Sequence, residues 1–400
     1  MDIAMPSGAA YIISRLEEMG ARADIVGGCV RDAMLGRRAS DFDITTSASP
    51  EEVIAAFSDM RVIKTGVAHG TVTVIADGEP YEVTTYRIDG EYTDGRHPDS
   101  VTFAGRIEDD LSRRDFTVNA MAYSKSCGLT DLFGGREDVE RRLIRAVGDP
   151  YLRFTEDALR ILRAIRFASV LCFDIEPRTA AAARELAPRL LNVSAERIYA
   201  EWRKLIGGEG AYAVLSEYSD IIGVFLPELS GLCLPEERAF KAAGADARSL
   251  VLFARTCADE APRLFHQALE RLKADKKARD NGRLALENYT SPTETEKELL
   301  RLLFRLGEEC AALTVELRAV LGLCSADTPL RLCDVIAGGK AYRITDLAVD
   351  GNDLISIGIF GKDIGKSLAE LLELVIDGFL PNEKSALLSY LEKTKIRHEM

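Results

Sequence analysis

The chain carries one stretch, residues 26–46 (VGGCVRDAMLGRRASDFDITT), in which a glycine pair and an aspartate pair flank a short helical pattern. The pattern predicts a glycine turn, a helix over residues 29–35, a polar connector over residues 36–40 and then a strand. We expect this strand to contain Asp41 and Asp43. Side chains alternate between the two faces of a strand, so both aspartates are expected on the same face.

The chemistry of this stretch favours a metal ion beside a phosphate. Asp41 and Asp43 offer hard oxygen ligands of the kind that Mg²⁺ prefers. Gly27 and Gly28 stand where helix amides are unpaired and the backbone can come close to a ligand, and Arg31 lies one turn further on. A lone glycine pair or a lone DxD is typical of an ordinary turn. Their combination predicts a site for Mg²⁺ and a nucleoside triphosphate.

Composition limits the class of protein. With 400 residues and 47% hydrophobic residues, the chain can form two or more domains with buried cores. Its formal charge of -13 argues against a generic nucleic-acid binder, because phosphates are normally neutralised by Lys and Arg. The arginines are unevenly distributed, however, and many of them fall between residues 113 and 166. A nucleic-acid-binding protein with a basic cleft on an acidic body is therefore still compatible with the composition.

Several other classes are disfavoured. No apolar segment is long enough to span a membrane, and charges at Arg15, Glu17 and Glu18 interrupt the N-terminal apolar run, so we expect a cytoplasmic protein. The eight cysteines show no CxxC pattern, which favours reduced thiols over disulfides or a zinc site. With four histidines and no His-Asp doublet, a metal-dependent phosphohydrolase site is not expected in the C-terminal half.

After the aspartates the sequence predicts a helix and a β-rich region. Residues 50–57 follow a Ser49 cap and carry acidic residues in their first turn, as helix starts do. Asp77-Gly78 is typical of a hairpin turn. Three segments alternate apolar and polar residues and are predicted as strands: residues 61–65, 71–75 and 81–87. Glu82 is either a third carboxylate of the metal site or a solvent-facing side chain.

The next segments are predicted to border the site and to complete the sheet. Residues 89–102 are rich in Gly, Pro and charge and indicate a mobile loop. Residues 111–123 are predicted to form a helix with an inward apolar face, on which Asn119 needs a hydrogen-bond partner. Residues 128–150 predict a strand, a turn and a closing strand. From Pro150 onward the patterns are helical, which places a domain boundary near residue 147.

A second chemical stretch covers residues 154–169 (FTEDALRILRAIRFAS). Asp157, Arg160, Arg163 and Arg166 recur at every third residue of a predicted helix, so neighbouring side chains lie adjacent on its surface. This row is either a solvated, salt-bridged face or part of a site. Residues 192–202 predict a further helix with a structural role, as a lining of the cleft.

The motifs GGCVRD, DFD, YEVTTYR, RRDFTVNAMAY, DLFGG, RFTEDALRILRAIRFA and SAERIYAEW occur in one order. In this order they closely resemble the class II CCA-adding tRNA nucleotidyltransferases of bacteria, within the poly(A) polymerase superfamily. The likeness covers roughly residues 20 to 205 and is weaker in the tail. It implies an α+β fold: an N-terminal, polymerase-β-like nucleotidyltransferase domain with a mixed sheet and helices, followed by all-α domains. The implied domains are a catalytic head (1–147), a neck that recognises the base (148–208), a body (209–327) and a tRNA-binding tail (328–400).

The resemblance also implies roles for individual residues. Catalysis and metal binding are expected at Asp41 and Asp43. Nucleotide binding is expected at Gly28, Arg31, Arg114, Asp157, Arg160, Arg163 and Arg166. Within that set Asp157 and Arg160 occupy the positions that read the base. An ionised Asp only accepts hydrogen bonds and an Arg only donates them. This pair matches cytosine and adenine, which offer an amino donor beside a ring-nitrogen acceptor. It does not match uracil and guanine, which offer a carbonyl beside a ring N–H.

The implied activity is template-independent, Mg²⁺-dependent addition of CCA to tRNA 3' ends from CTP and ATP. The expected partners are tRNA, CTP and ATP, without a membrane or an obligatory protein partner. Specialised CC-adding or A-adding enzymes and bacterial poly(A) polymerases remain alternatives, although the last usually carry a basic extension that this acidic chain lacks. A catalytically silent RNA-binding module is the alternative from a different class.

Overall fold

The computed structural model of the protein describes residues 3–39, 41–90 and 101–399. Contacts divide the chain into two compact units, Met1–Ser230 and Gly231–Met400. The first unit contains the strands and the second is helical, so the predicted α+β fold with a helical C-terminal region is confirmed. The finer division at residues 147, 208 and 327 stays a prediction.

In the described part of the first unit, seven strands form one mixed sheet in the order β3-β4-β5-β2-β1-β8-β9. The pair β2–β5 is parallel, with Ile44 opposite Val83, and its neighbours in the sheet are antiparallel. Two further pairs, β6–β7 and β10–β11, lie outside this sheet. The strands are β1 Ala23–Val26, β2 Asp43–Thr46, β3 Val62–Ile63, β4 Thr71–Ala76, β5 Glu79–Thr85, β6 Arg87–Asp89, β7 Val101–Phe103, β8 Met121–Ser124, β9 Gly128–Asp131, β10 Leu143–Ile144 and β11 Asp174–Ile175.

The first unit also contains helices that frame the sheet and continue beyond it. They are α1 Ser7–Glu18, α2 Gly28–Met34, α3 Pro50–Ala56, α4 Ile107–Ser112, α5 Gly135–Arg141, α6 Pro150–Glu156, α7 Leu159–Leu171, α8 Pro177–Leu186, α9 Ala195–Gly207, α10 Ala211–Glu217 and α11 Ser219–Phe225. Helix α7 is buried along most of its length and packs on α9. The arginine-rich stretch of the sequence thus lies in the interior of the unit.

Several local predictions are confirmed. Helix α3 begins with a capping box in which Ser49 and Glu52 exchange side-chain and backbone hydrogen bonds. Asp77 and Gly78 form the turn between β4 and β5, with φ of 52° and 82°. Along β5 the side chain of Glu82 is exposed, whereas its neighbours on the strand face the core. The alternation therefore predicts correctly which side of the sheet Glu82 occupies.

The predicted helix over residues 111–123 is wrong. Helix α4 ends at Ser112, a 3₁₀ turn covers Thr117–Asn119, and β8 follows at Met121–Ser124. All four residues of β8 are buried, because the strand lies between β1 and β9 in the sheet. A strand buried on both faces is apolar throughout, so its periodicity cannot distinguish it from a buried helix.

Residues 128–150 also differ from the prediction. The strand β9 is present, but a helix, α5, follows the Gly134 turn, and the closing strand β10 pairs with β11 rather than with the main sheet. Gly135 begins α5 against the 3₁₀ turn: a Cβ there would lie 2.2 Å from the carbonyl oxygen of Thr117. This close backbone contact requires glycine, and it is a tertiary feature that the local pattern does not reveal.

Three other boundaries need correction or comment. The strand β2 begins at Asp43, so Asp41 precedes the strand rather than lying in it. The helix predicted within residues 154–169 is interrupted at Asp157, which has φ of -142°, because Asp149 and Pro150 begin a separate helix, α6. Of the predicted loop, residues 91–100 lie outside the described residues, and its two ends belong to the paired strands β6 and β7.

The described part of the second unit consists of helices and their connections. They are α12 Glu237–Ala242, α13 Ala245–Cys257, α14 Ala261–Arg271, α15 Lys276–Asn288, α16 Glu296–Val320, α17 Thr328–Ala337, α18 Gly351–Ser356, α19 Lys362–Ile376 and α20 Lys384–Glu399. Helix α16 is kinked at Gly307, whose φ is 72°. Leucines from α16 and α19 are prominent in an apolar core cluster formed by buried residues between positions 299 and 391. Among the helices that the structure describes, none is both long and apolar enough to cross a membrane.

Candidate active site

The glycine turn before α2 brings two arginine side chains onto one backbone segment. Gly27 has φ of 82°, a conformation that L side chains rarely adopt, and its amide donates to the carbonyl of Met121 at 3.1 Å. A Cβ on Gly27 would lie 3.2 Å from a guanidinium nitrogen of Arg114. A Cβ on Gly28 would lie 3.6 Å from Arg31. The predicted residues Gly28, Arg31 and Arg114 therefore come together.

The predicted aspartate pair lies beside this turn. Asp43 opens β2 next to Val26 of β1, immediately before the glycines. Although Asp43 keeps access to solvent, desolvation by the surrounding protein raises the pKa of its carboxyl group, the charge of Arg114 opposes that rise and the charge of Asp41 adds to it. The two aspartates and Arg114 are thus close enough to influence one another's charge.

Glu82 belongs to the same electrostatic neighbourhood. Desolvation raises the pKa of its carboxyl group, and the charges of Asp43 and Asp41 raise it further. Yet in the described part of the chain no set of three or more His, Cys, Asp or Glu side chains is arranged to hold a metal ion. The structure thus does not support Glu82 as a third ligand.

The donors at this point fit a hard cation. Cys29 is the nearest alternative ligand type, but burial and the charge of Asp43 raise the pKa of its thiol to about 12, so it stays a neutral thiol. Two carboxylates without sulfur or imidazole suit Mg²⁺, which commonly takes one or two carboxylates and completes its shell with water and substrate phosphates. The mutual repulsion of Asp41 and Asp43 is what a bound cation would relieve.

Arg114 is held toward this site by a buried carboxylate. Asp110 has no exposed surface, and its oxygens accept hydrogen bonds from Arg113 at 2.5 Å and Arg114 at 3.1 Å. Burial raises the pKa of Asp110, but the two arginines more than compensate and hold it below its usual range. The Nε of Arg114 is buried and has no hydrogen-bond partner within the described residues.

A second buried network connects α2 to α7. Arg31 donates to the Oδ1 of Asn119 at 2.5 Å, and Asn119 donates to Asp115 at 3.3 Å. Asp115 then accepts two hydrogen bonds from Arg163, at 2.9 and 2.5 Å. Burial opposes the charge of Asp115, but Arg163 and the nearby Arg160 hold the pKa of its carboxyl group at about 2. Asn119 thereby has the polar partners that its burial requires.

Asp157 lies in the break between α6 and α7. One carboxylate oxygen accepts the backbone N–H of Leu159 at 3.0 Å and so closes the start of α7. The other accepts a hydrogen bond from Arg197 of α9 at 2.7 Å. Asp157 is therefore fixed by its own helix and by a neighbouring one.

Arg160 points inward and is 9% exposed. Its guanidinium donates to Glu156 at 2.7 Å and to the backbone carbonyls of Arg153 and Arg113 at 3.3 and 3.1 Å. The last contact places Arg160 against the residue that precedes Arg114. The backbone amide of Arg160 donates to the carbonyl of Asp157 at 3.0 Å, whereas the two side chains have separate partners.

The other arginines of the row have different surroundings. Arg163 is committed to Asp115, whereas Arg166 donates to Glu201 of α9 at 2.8 Å. Phe167 lies among them, with Arg166 at 3.6 Å and Arg163 at 5.5 Å from its ring centroid. Arg163 also lies 4.0 Å from Glu201, so Arg163 and Arg166 share that carboxylate as well as the ring of Phe167. Asp157 and Arg160 have other partners, so the surroundings change along the row.

Sequence reasoning missed the residues that hold the predicted ones in place: Asp110, Asp115, Glu156, Arg197 and Glu201. Two of these had a local signal, because Asp110 and Glu156 stand four residues before Arg114 and Arg160. The partners of Arg197 and Glu201 are 40 and 35 residues away in the sequence. No local spacing could have identified them.

Three family models match the chain. The poly(A) polymerase head domain matches residues 23–145, an RNA- and SrmB-binding region of polymerase A matches residues 172–232, and the second domain of tRNA nucleotidyltransferase matches residues 247–391. The first of these contains the glycine turn, both aspartates and Arg114. The three models together extend over both units.

Whole proteins match along their full length. The CCA-adding enzyme of Lactobacillus helveticus is 36% identical over 391 residues, with 96% of each chain covered. The CCA-adding enzyme of Geobacillus stearothermophilus is 36% identical over 404 residues, with 98% of each chain covered. A crystal structure of the Bacillus stearothermophilus CCA-adding enzyme in complex with CTP is similar with a TM-score of 0.82 and 33% identity, covering 99% of this chain and 100% of that one.

Proposed function

The chain belongs to the family of CCA-adding enzymes, and from this premise we propose that it adds C, C and A to the 3' end of tRNA from CTP and ATP without a nucleic-acid template. The reaction is a nucleotidyl transfer: the tRNA 3'-hydroxyl attacks the α-phosphate, and pyrophosphate leaves. We also propose that the protein works in the cytoplasm, where tRNA, CTP and ATP are available. An obligatory protein partner is not part of this proposal.

One observation carries the assignment of residues. The acidic pair and the base-reading pair belong to the same compact unit and are joined by continuous contacts. The charge of Arg114 acts on Asp43, and Arg160 donates to the carbonyl of Arg113, the residue next to Arg114. Arg160 also faces inward rather than toward solvent. These contacts support the proposal that one nucleotide is bound by both pairs.

Asp41 and Asp43 are proposed to hold Mg²⁺. When bound, Mg²⁺ lowers the pKa of the attacking hydroxyl and stabilises charge on the phosphates. The protein's own contribution is to keep two carboxylates adjacent at the start of β2 while Arg114 limits the rise in the pKa of Asp43. Two adjacent carboxylates are ligands of the kind that Mg²⁺ takes from a protein.

The triphosphate is proposed to lie over the glycine turn. Gly27 and Gly28 leave room for close approach to the backbone, and Arg31 and Arg114 flank that room with positive charge. Both arginines are fixed before a nucleotide arrives, Arg31 through Asn119 and Arg114 through Asp110. Such preorganisation stabilises the developing negative charge without a cost of reorganisation during the reaction.

Base selection is proposed for Asp157 and Arg160. Leu159 and Arg197 each use one acceptor position on Asp157, and each carboxylate oxygen has a second lone pair. The contacts of Arg160 use three of its five N–H donors. The remaining positions match the donor and acceptor edge of cytosine or adenine. A wrong base would leave buried groups unpaired, at a cost of about 1–3 kcal/mol each.

Arg163 and Arg166 are proposed to support nucleotide binding from a distance. The salt bridge between Arg163 and Asp115 fixes the network that ends on Arg31. Arg166 stacks on Phe167 and bonds to Glu201, which limits its reach. If Arg163 and Arg166 act in this indirect way, their substitution should lower nucleotide affinity less than substitution of Arg31 or Arg114 does.

The test supplies purified protein with tRNA that lacks CCA, lacks CA or lacks only A, together with each nucleoside triphosphate alone and in mixture. Complete repair with CTP plus ATP, and no incorporation of UTP or GTP, is the expected result. A stop after two cytidines, or extension only of tRNA that ends in CC, would instead indicate a specialised enzyme. A long adenylate tail would indicate a poly(A) polymerase, and no incorporation with Mg²⁺ would refute the proposal.

A further inference from the structure

A basic cavity lies on the first unit, beside the arginine row of α7. It has a volume of about 520 Å³. We define this basic cavity by its charged wall, which consists of Arg37, Arg166, Arg203, Lys204 and Glu209. The cations come from three separate segments: the connector after α2, the helix α7 and the last turns of α9. This convergence is a tertiary feature.

The cavity has positive charge that the protein does not neutralise. Arg166 is already paired with Glu201. Arg37, Arg203 and Lys204 form no salt bridge with any carboxylate of the described chain, and all three are exposed. Only Glu209 opposes them within the wall. In a protein with a formal charge of -13, three unneutralised cations around one cavity are a concentration of charge that needs another explanation.

A purely structural explanation accounts for only part of this charge. Lys204 stands in the last turn of α9, where a cation interacts favourably with the helix dipole. Arg37 belongs to another segment and has no such role. The helix dipole therefore explains one of the three cations, and their common orientation toward one cavity indicates an anionic ligand.

We propose that the basic cavity binds the phosphate backbone of the tRNA acceptor end while the 3' terminus occupies the catalytic site. The inference rests on the proposed function and deepens it. Exposed, flexible Lys and Arg side chains suit sequence-independent contacts with phosphates, which position a nucleic acid without reading it. The glycine turn and its fixed arginines are better suited to bind a free triphosphate.

The position of the cavity supports this assignment. Phe167 separates it from the nucleotide site: Arg166, on the cavity wall, lies 3.6 Å from the centroid of the ring, and Arg31, beside the glycine turn, lies 5.3 Å from it. The cavity is therefore one side chain away from the site where the 3'-hydroxyl must react. Backbone phosphates upstream of that hydroxyl have to pass over nearby protein surface.

The experiment compares the wild type with a variant that carries Arg203→Gln and Lys204→Gln. Both positions are exposed, so the substitutions remove charge without disturbing a core. Affinity for tRNA is measured by fluorescence anisotropy at several salt concentrations. We expect the slope of log affinity against log salt to decrease by about 1 for each cation removed, and affinity near 0.1 M salt to fall roughly tenfold for each. The KM for CTP should stay unchanged.

A matched control carries Arg61→Gln and Lys125→Gln, which remove the same charge from exposed positions outside the cavity. The inference is overturned if the cavity variant loses no more tRNA affinity than this control. It is also overturned if the KM for CTP rises while tRNA affinity is retained, because the cavity would then hold the triphosphate. The incorporation assay that gives the KM for CTP also tests the proposed function separately. A wild type that fails to add CCA in that assay would refute the proposed function itself.

Discussion

Asp115 is the buried carboxylate on which the network between α2 and α7 depends, and Asp115→Asn tests that role. Its pKa is about 2 in the folded protein, against an ordinary value of 3.8. This lowering of the pKa corresponds to about 2 kcal/mol of stability at neutral pH. Because Arg163 would also lose its buried partner, we expect Asp115→Asn to reduce the free energy of unfolding by about 3 kcal/mol at neutral pH.

The pH dependence gives a second, independent signature. A carboxyl group whose pKa is lowered by folding stabilises the protein above its unfolded pKa, and that stabilisation is lost as the pH falls. The stability difference between wild type and Asp115→Asn should therefore be constant above about pH 5 and shrink from about pH 4 toward pH 2. The variant lacks the group that titrates, so this component should be missing from its own stability curve.

Urea unfolding followed by fluorescence measures both effects. The chain has one tryptophan, Trp202, which is buried in α9 of the same unit as Asp115 and therefore reports its unfolding. Glu140→Gln is a matched control, because it removes an exposed partner of Arg136 and should cost no more than about 1 kcal/mol. Equal stability of Asp115→Asn and wild type at pH 7, with parallel curves down to pH 2, would refute the reasoning.

Three further predictions concern catalysis, specificity and packing. Asp43→Ala should abolish nucleotide incorporation while tRNA affinity is retained, because a metal ligand is lost; normal turnover would contradict the assignment, and the exposed Asp59→Ala serves as control. Arg160→Ala should relax base choice, measured as the ratio of kcat/KM for CTP and UTP, and undiminished rejection of UTP would count against base reading. Gly135→Ala should destabilise the protein by roughly 1–3 kcal/mol in thermal unfolding, since its Cβ would lie 2.2 Å from the carbonyl oxygen of Thr117. Gly365→Ala in α19 is the control and should not destabilise the protein, because a Cβ there meets nothing within 4 Å. Similar melting temperatures of the two variants would show that the contact between Gly135 and Thr117 does not constrain the fold.

The chemistry-bearing segments could be found from the sequence because their signals are local. The glycine turn, the helix α2 and the aspartates lie within 21 residues, and the alternation along β5 places Glu82 on the exposed side. Capping and hairpin chemistry likewise predicts α3 and the turn at Asp77-Gly78. Each of these depends on interactions between residues a few positions apart, which a sequence displays directly.

Other features were predicted wrongly or not at all because they depend on distant partners. The pattern around β8 predicts a helix, because a strand buried on both faces carries no alternation. The spacing from Asp157 to Arg166 predicts adjacent side chains, but it does not reveal their partners Arg197, Glu156, Asp115 and Glu201. Arg197 and Glu201 carried no local signal, although they bind Asp157 and Arg166 across the gap between two helices.

The sequence by itself determined which residue types are available for chemistry, and from them we predict an acidic pair for a cation, glycines and arginines for phosphate, and an Asp with an Arg for a base edge. The tertiary structure alone decided which of them meet and how firmly each is held. The reason is physical. Residue type decides whether a side chain can carry a charge, but the pKa and orientation of that side chain depend on burial and on partners that folding brings together. Asp115 illustrates this, because Arg163 and Arg160, which folding brings close to it, keep the pKa of its buried carboxyl group low.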